Sequence, residues 1–230
     1  MFTFFLGNSI WHLVSQTDIV SKLVLLILLV MSILCWTVFF YKLILFSIKR
    51  RQVMRVAKEL KKTTSLEEIV SVAARYKDTL PGYFLSKNIN FLKNMLTIDP
   101  DTSRAQIGQR EWDLFQQHMD QNIEEIVYHE QSYLAILSTG AAVSPLMGLF
   151  GTVWGLVRAF VSISEKHSAD IATVAPGIAQ ALITTLAGLA VAVPALIMFN
   201  YCMSQVRKID QLFTMLSDRL ILKIQKYVIK

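Results

Sequence analysis

Only two cysteines occur in the chain, Cys35 and Cys202. One lies inside a long apolar run and the other at the end of another, so neither suits a disulfide; both read as reduced and structural. The first 21 residues contain no Lys or Arg. A cleaved secretion signal needs a basic start, a shorter apolar centre and small residues at its cleavage site, so the first apolar run reads as a retained anchor. A Gly-rich phosphate loop of the Walker type is missing, which argues against direct use of ATP. Also missing are a Gly-x-Ser-x-Gly elbow and a pair of aspartates within an apolar run. The histidines, His12, His118, His129 and His167, show no ligand spacing. No metal, no other cofactor and no enzymatic activity are therefore expected. Base-reading motifs do not accompany the basic residues, so nucleic acid is not an expected partner.

Charge is missing from three long stretches, residues 23–41, 131–157 and 171–206. A hydrocarbon core about 30 Å thick needs roughly 20 apolar residues to cross it as a helix. A soluble helix rarely stays apolar on every face for so long, because its outer side meets water. With 53% hydrophobic residues overall, the chain is expected to be an all-α integral membrane protein with three transmembrane helices in contact with lipid.

The charges that do occur sit beside these runs. Residues 42–131 hold 14 basic and 12 acidic side chains, and residues 202–230 hold six and two, so the net +6 is concentrated just past the first and third runs. The short link between the second and third holds only Lys166 against Glu165 and Asp170. Basic segments stay on the cytoplasmic side of a bacterial inner membrane, which places the amino terminus outside, in the periplasm, and the carboxyl terminus in the cytoplasm.

The expected organisation is a periplasmic segment 1–22, a first span 23–41, a cytoplasmic helical domain 42–131, a second span 132–163, a short periplasmic link 164–173, a third span 174–201 and a cytoplasmic helix 202–230. Within the domain, Ser65-Leu66-Glu67-Glu68 fits a capping box that starts a helix. Asp78-Thr79-Leu80-Pro81-Gly82 and Asp99-Pro100-Asp101 read as turns. Ile107, Leu114, Phe115, Met119, Ile123 and Ile126 then recur at helical spacing and run without a break towards the second span. At about 1.5 Å per residue, positions 103–143 alone extend roughly 60 Å. Ile209, Leu212, Phe213, Leu216, Leu220, Ile224 and Tyr227 repeat the pattern in the tail. These faces need partners, and a helical cage below the membrane supplies them; for the tail, the anionic membrane surface is the alternative.

Small residues mark the second and third runs. Gly140, Ser144, Gly148 and Thr152 fall four apart, and Gly151 and Gly155 add a GxxxG; in the third run Gly177, Ala181, Thr184, Gly188, Ala192 and Ala195 form a similar stripe. In lipid, such stripes let helix backbones approach, so a close antiparallel pair is expected. Pro176 is read as a helix start, and Pro145 and Pro194 as bends. Arg158, the one charge near the outer end of the second span, reads as a side chain reaching for the interface.

The stretch Ser144-Pro145 through Gly148-Leu-Phe-Gly-Thr-Val-Trp-Gly155, followed by Val174-Ala-Pro-Gly-Ile-Ala-Gln-Ala-Leu-Ile-Thr-Thr-Leu-Ala-Gly-Leu189, resembles the paired signature of the MotA/TolQ/ExbB proton channel family. Both halves match in order and spacing, and the first span resembles that of the TolQ branch more than the ExbB branch. The resemblance implies a homo-oligomeric ring, a pentamer, around a TolR-like (or ExbD-like) single-span partner whose aspartate carries protons. It also implies a TolA-like (or TonB-like) protein as the recipient of the work. Thr152 and Thr185 match the family's two pore-facing threonines, and Gln180 and Thr184 are placed on the same pathway.

A threonine hydroxyl can donate to or accept from a partner's carboxyl group without burying a second charge. Left to itself, a membrane threonine more often bonds the carbonyl one turn back in its own helix. Gln180 departs from the family pattern, which usually has a glutamate there. Glutamine hydrogen-bonds but does not titrate, so the proton carrier is expected on the partner; the alternative is a non-conducting homologue that serves as a membrane assembly scaffold.

Overall fold

The computed structural model describes residues 18–95, 97–98, 105–106, 108–166 and 170–228. The expected turn at Asp99-Pro100-Asp101, and His12, His167 and Ile107, lie outside them. The fold is all-α: α1 (Ile19–Lys62), α2 (Leu66–Arg75), α3 (Leu80–Met95), α4 (Gln109–Gln131), α5 (Leu134–Lys166) and α6 (Ile171–Val228). Between α3 and α4, the two-residue strands β1 (Thr97–Ile98) and β2 (Ala105–Gln106) pair antiparallel, Thr97 opposite Gln106 and Ile98 opposite Ala105. Among the described residues, three helices, α1, α5 and α6, are long and apolar enough to cross a membrane.

The chain divides into two compact units. The first comprises residues up to Tyr41 and Tyr133–Cys202. Its surface is the reverse of a soluble protein's: Leu26 is 60% exposed, Leu182 62% and Phe160 68%. Between α5 and α6 it buries small residues, Ala159, Ala181, Ala192, Ala195, Ser144 and Thr184, and larger ones are buried elsewhere, Val24 and Leu28 of α1, Leu134 and Leu137 of α5 and Met198 of α6. Helices that bury small residues and expose large apolar ones are solvated by lipid or by further protein.

The second unit comprises Lys42–Ser132 and Met203–Lys230 and has an ordinary aliphatic and aromatic core. Val53, Val56 and Leu60 of α1 are buried there, with Ile69 of α2, Phe84, Leu85 and Ile89 of α3, and Phe115, Met119 and Ile123 of α4. Ser65 starts α2 as the capping motif predicts: its side chain accepts from the amide of Glu68, whose carboxylate accepts from the amide of Thr64 at 2.6 Å. Thr79 performs the same task for α3, accepting from the Gly82 amide at 3.3 Å, so Pro81 and Gly82 lie inside the first helical turn and not in the preceding loop.

Three expectations need correction. The helix expected to run unbroken into the second span stops at Gln131 and restarts at Leu134; Tyr133 sits at φ 66°, a left-handed conformation that no helix interior accommodates. The α4 stripe holds at Phe115, Met119, Ile123 and Ile126, but Leu114 is 44% exposed and Trp112 is buried with the others. Pro176 does not start α6, which begins at Ile171, so the proline removes one bond from an already formed helix. The tail packs against other helices of the second unit, as expected, and not as the alternative, a helix on the membrane surface. Ile209, Phe213, Leu216, Leu220 and Ile224 are buried, Phe213 meets Phe84 edge to face at 5.4 Å between centroids, and Arg219 donates to the Ala57 carbonyl at 3.0 Å. Lys223 bonds the Thr63 hydroxyl at 2.9 Å and the Thr63 carbonyl just past the end of α1, where a cation meets the negative helix terminus.

Candidate functional site

The small-residue stripes of α5 and α6 meet in one seam within the first unit. A methyl group on Gly188 would lie 2.6 Å from the Ser144 carbonyl oxygen, and one on Gly148 would lie 3.0 Å from the Thr185 Cα. One on Gly155 would lie 2.8 Å from the Ala181 Cβ, and one on Gly177 would be 3.2 Å from that of Ala159. On Gly151 it would collide with the Thr184 side chain. The two backbones are thus in van der Waals contact along several turns, and glycine is what permits this. Gly140 serves a different contact, since its missing side chain makes room for the Cys35 sulfur of α1.

The hydroxyl groups are anchored on this seam. Thr185 donates across it to the Gly148 carbonyl at 3.0 Å, while Thr152 donates within α5 to the next carbonyl, that of Leu149, at 2.7 Å. Two threonines from different helices therefore rest on consecutive carbonyls of one turn. Each has its proton committed and keeps lone pairs, so each is set to accept a hydrogen bond. Thr152 and Thr185 are partly buried, as is Gln180 one turn before Thr184. Thr184 is wholly buried and bonds its own helix at the Ala181 carbonyl, 2.7 Å away, with Gly151 against its side chain.

One participant was not legible in the sequence. Asp18, immediately before α1, forms an ion pair with Arg158 and accepts from the Trp154 indole at 3.0 Å. Arg158 thus has a protein carboxylate as its partner, where an interface alone was expected to receive it. No spacing rule links Asp18 to α5.

The second unit has its own buried charges. Lys42 is 2% exposed, and its ammonium donates to the Glu130 carbonyl at 2.8 Å. The Glu130 carboxylate, equally enclosed, pairs with Lys49. These charges flank the point where the first apolar run ends.

Comparison with known proteins agrees with this geometry. Residues 79–215 match the family described as the MotA/TolQ/ExbB proton channel family. The chain is 30% identical over 198 residues to the biopolymer transport protein ExbB of Salmonella typhimurium, covering 86% of this chain and 79% of that one. It is 31% identical over 206 residues to the Tol-Pal system protein TolQ of Pseudomonas aeruginosa (84% and 82%) and 30% identical over 200 residues to that of Haemophilus influenzae (85% of each chain). The matched region holds both halves of the threonine-bearing seam, and the chain belongs to the MotA/TolQ/ExbB proton channel family.

Proposed function

We propose that this chain is the TolQ-like stator subunit of an inner-membrane motor driven by the proton gradient. Copies of it form a ring, a pentamer, around the helix of a TolR-like single-span partner, and the motion is passed to a TolA-like envelope-spanning protein that maintains outer-membrane integrity and constriction. The amino terminus is periplasmic, and the second unit is a cytoplasmic helical domain. Lys49, Arg50, Arg51 and the basic tail, all in that unit, support this orientation.

The observation that carries the reading is the pair of hydroxyls on consecutive carbonyls, Thr185 on Gly148 and Thr152 on Leu149. With their protons spent, they present acceptor lone pairs to the O–H of a neutral carboxylic acid. Such a wall favours the protonated form of a partner's aspartate while it crosses the low-dielectric zone. Gln180 adds hydrogen bonds without a competing titration, so the partner's acid is the sole proton carrier. Thr184, enclosed in the seam, holds the two helices together behind that wall. Each elementary charge moved through 100 mV supplies about 2.3 kcal/mol, so a few protons suffice for a conformational step.

Thr152→Val and Thr185→Val test this in proteoliposomes that contain the complex. The expected result is a ring that still purifies with its partner while partner-dependent proton flux falls at least tenfold. Unchanged flux would mean that the hydroxyls are not the wall. A second reading, an ExbB-like subunit energising TonB-dependent nutrient uptake, is favoured by the equal identity to the Salmonella ExbB. Restoration of a strain lacking either system, by this chain with its own partner, decides between them.

A further inference from the structure

Glu130 of α4 lines a partly open cavity of about 240 Å³ in the second unit, with α1 and α3 supplying its other walls. Its side chain is 3% exposed, Oε1 pairs with Lys49, and Oε2 is buried without a hydrogen-bond partner. A buried carboxylate oxygen without a donor is rare in folded proteins and calls for an explanation. The cavity supplies a second pair: Lys87 Nζ lies 2.7 Å from Glu125 Oε2, on a carboxylate that is half exposed. The lining holds two ammonium groups against two carboxylates, with the imidazole of His129 beside them. A lone cation entering meets Lys49 and Lys87, and a lone anion meets Glu125 and Glu130. A molecule carrying both charges meets a partner for each. The rest of the wall is apolar, with Leu80, Phe84 and Ile126. The volume lies below the range of roughly 300–1,000 Å³ that suits drug-sized ligands, so the occupant is small.

We propose that this cavity is a binding site for a small zwitterion, an aliphatic α-amino acid. Its ammonium group donates to Glu130 and Glu125, its carboxylate is held by Lys87 and His129, and its side chain lies against Phe84 and Ile126. The site is separate from the threonine seam and does not rest on the stator reading.

The test is titration of the full-length protein in detergent with L-leucine, followed by calorimetry and ligand-observed NMR. N-acetyl-L-leucine, which lacks the ammonium group, and 3-methylbutylamine, which lacks the carboxylate, serve as one-charge controls. Saturable leucine binding is expected, at least tenfold weaker for each control and at least tenfold weaker for leucine in Lys87→Gln. Glu130→Gln should weaken leucine further; should that variant not fold, the controls and Lys87→Gln carry the decision. Failure of leucine to saturate, equal binding of either control, or unchanged leucine affinity in Lys87→Gln overturns the proposal.

Discussion

Asp18 and Arg158 form an ion pair that ties the residue before α1 to the far part of α5, and the second oxygen of Asp18 is taken by the indole of Trp154. One carboxylate thus holds two side chains a turn apart on α5. Arg158 is half exposed, so its share of the stabilisation is that of a surface pair, about 0–1 kcal/mol, and the indole bond adds about 1 kcal/mol.

Asp18→Ala is therefore expected to lower thermal stability by a few degrees. Asp18→Asn, which keeps an acceptor for Trp154, should lose less. The charge exchange Asp18→Arg with Arg158→Asp should recover part of the loss. Melting curves of the wild type, Asp18→Ala, Asp18→Asn, the double exchange and its two single variants in one detergent check this, and an exchange no better than those single variants would refute the pair.

Gly188 and Gly177 lie on the same seam but differ in the space beside them. Gly188→Ala forces a methyl group against the Ser144 backbone oxygen, which can yield only if a helix moves; about 1–3 kcal/mol of destabilisation is expected. Gly177→Ala meets the end of the Ala159 side chain at 3.2 Å and should be much milder. Unfolding of the two variants by graded denaturant ranks them, and the reverse order would show that the seam is elsewhere.

Breaking the enclosed pair Lys49–Glu130 should be costly. Glu130→Ala leaves the Lys49 ammonium without its partner and is expected to destabilise the second unit by about 3–5 kcal/mol. The double change Lys49→Met, Glu130→Leu should restore most of this, because neither charge then remains. Denaturation followed by circular dichroism measures both, and a double variant as weak as Glu130→Ala contradicts the argument.

Stability should also fall in acid in a defined direction. The hydrogen bond from the Thr64 amide holds the Glu68 carboxyl below its ordinary 4.5, and the bond from Lys87 does the same for Glu125. Above 4.5 both groups are ionised in folded and unfolded chains and their contribution is complete. Between 4.5 and the lower folded values the unfolded chain binds more protons, so stability drops as pH falls, and below those values the contribution is gone. Glu68→Gln with Glu125→Gln should flatten this acid limb, as read from melting temperature against pH.

The three apolar helices were legible because lipid imposes uninterrupted length, and the seam because close backbones demand small residues at fixed spacing. The Ser65 box was legible because capping is local. Three features depend on distant chain. Tyr133 breaks a helix whose sequence carries no Gly or Pro there; Asp18 finds Arg158 only once α1 and α5 are side by side; Lys42 is enclosed although its neighbours are ordinary anchor residues. The family resemblance placed Thr184 and Thr185 on one pathway, yet one residue of rotation puts the first inside the seam and lets the second reach across it.

The contact between Gly188 and Ser144 also limits what this molecule can do when it works. Main chain against main chain leaves no pliable layer, so α5 and α6 cannot roll or slide over each other without tearing the Thr185 bond and colliding at every glycine. The pair behaves as one stave. Whatever turns, tilts or opens in use must do so along its other faces, where Leu182, Leu186 and Phe160 offer only soft, interchangeable apolar surface.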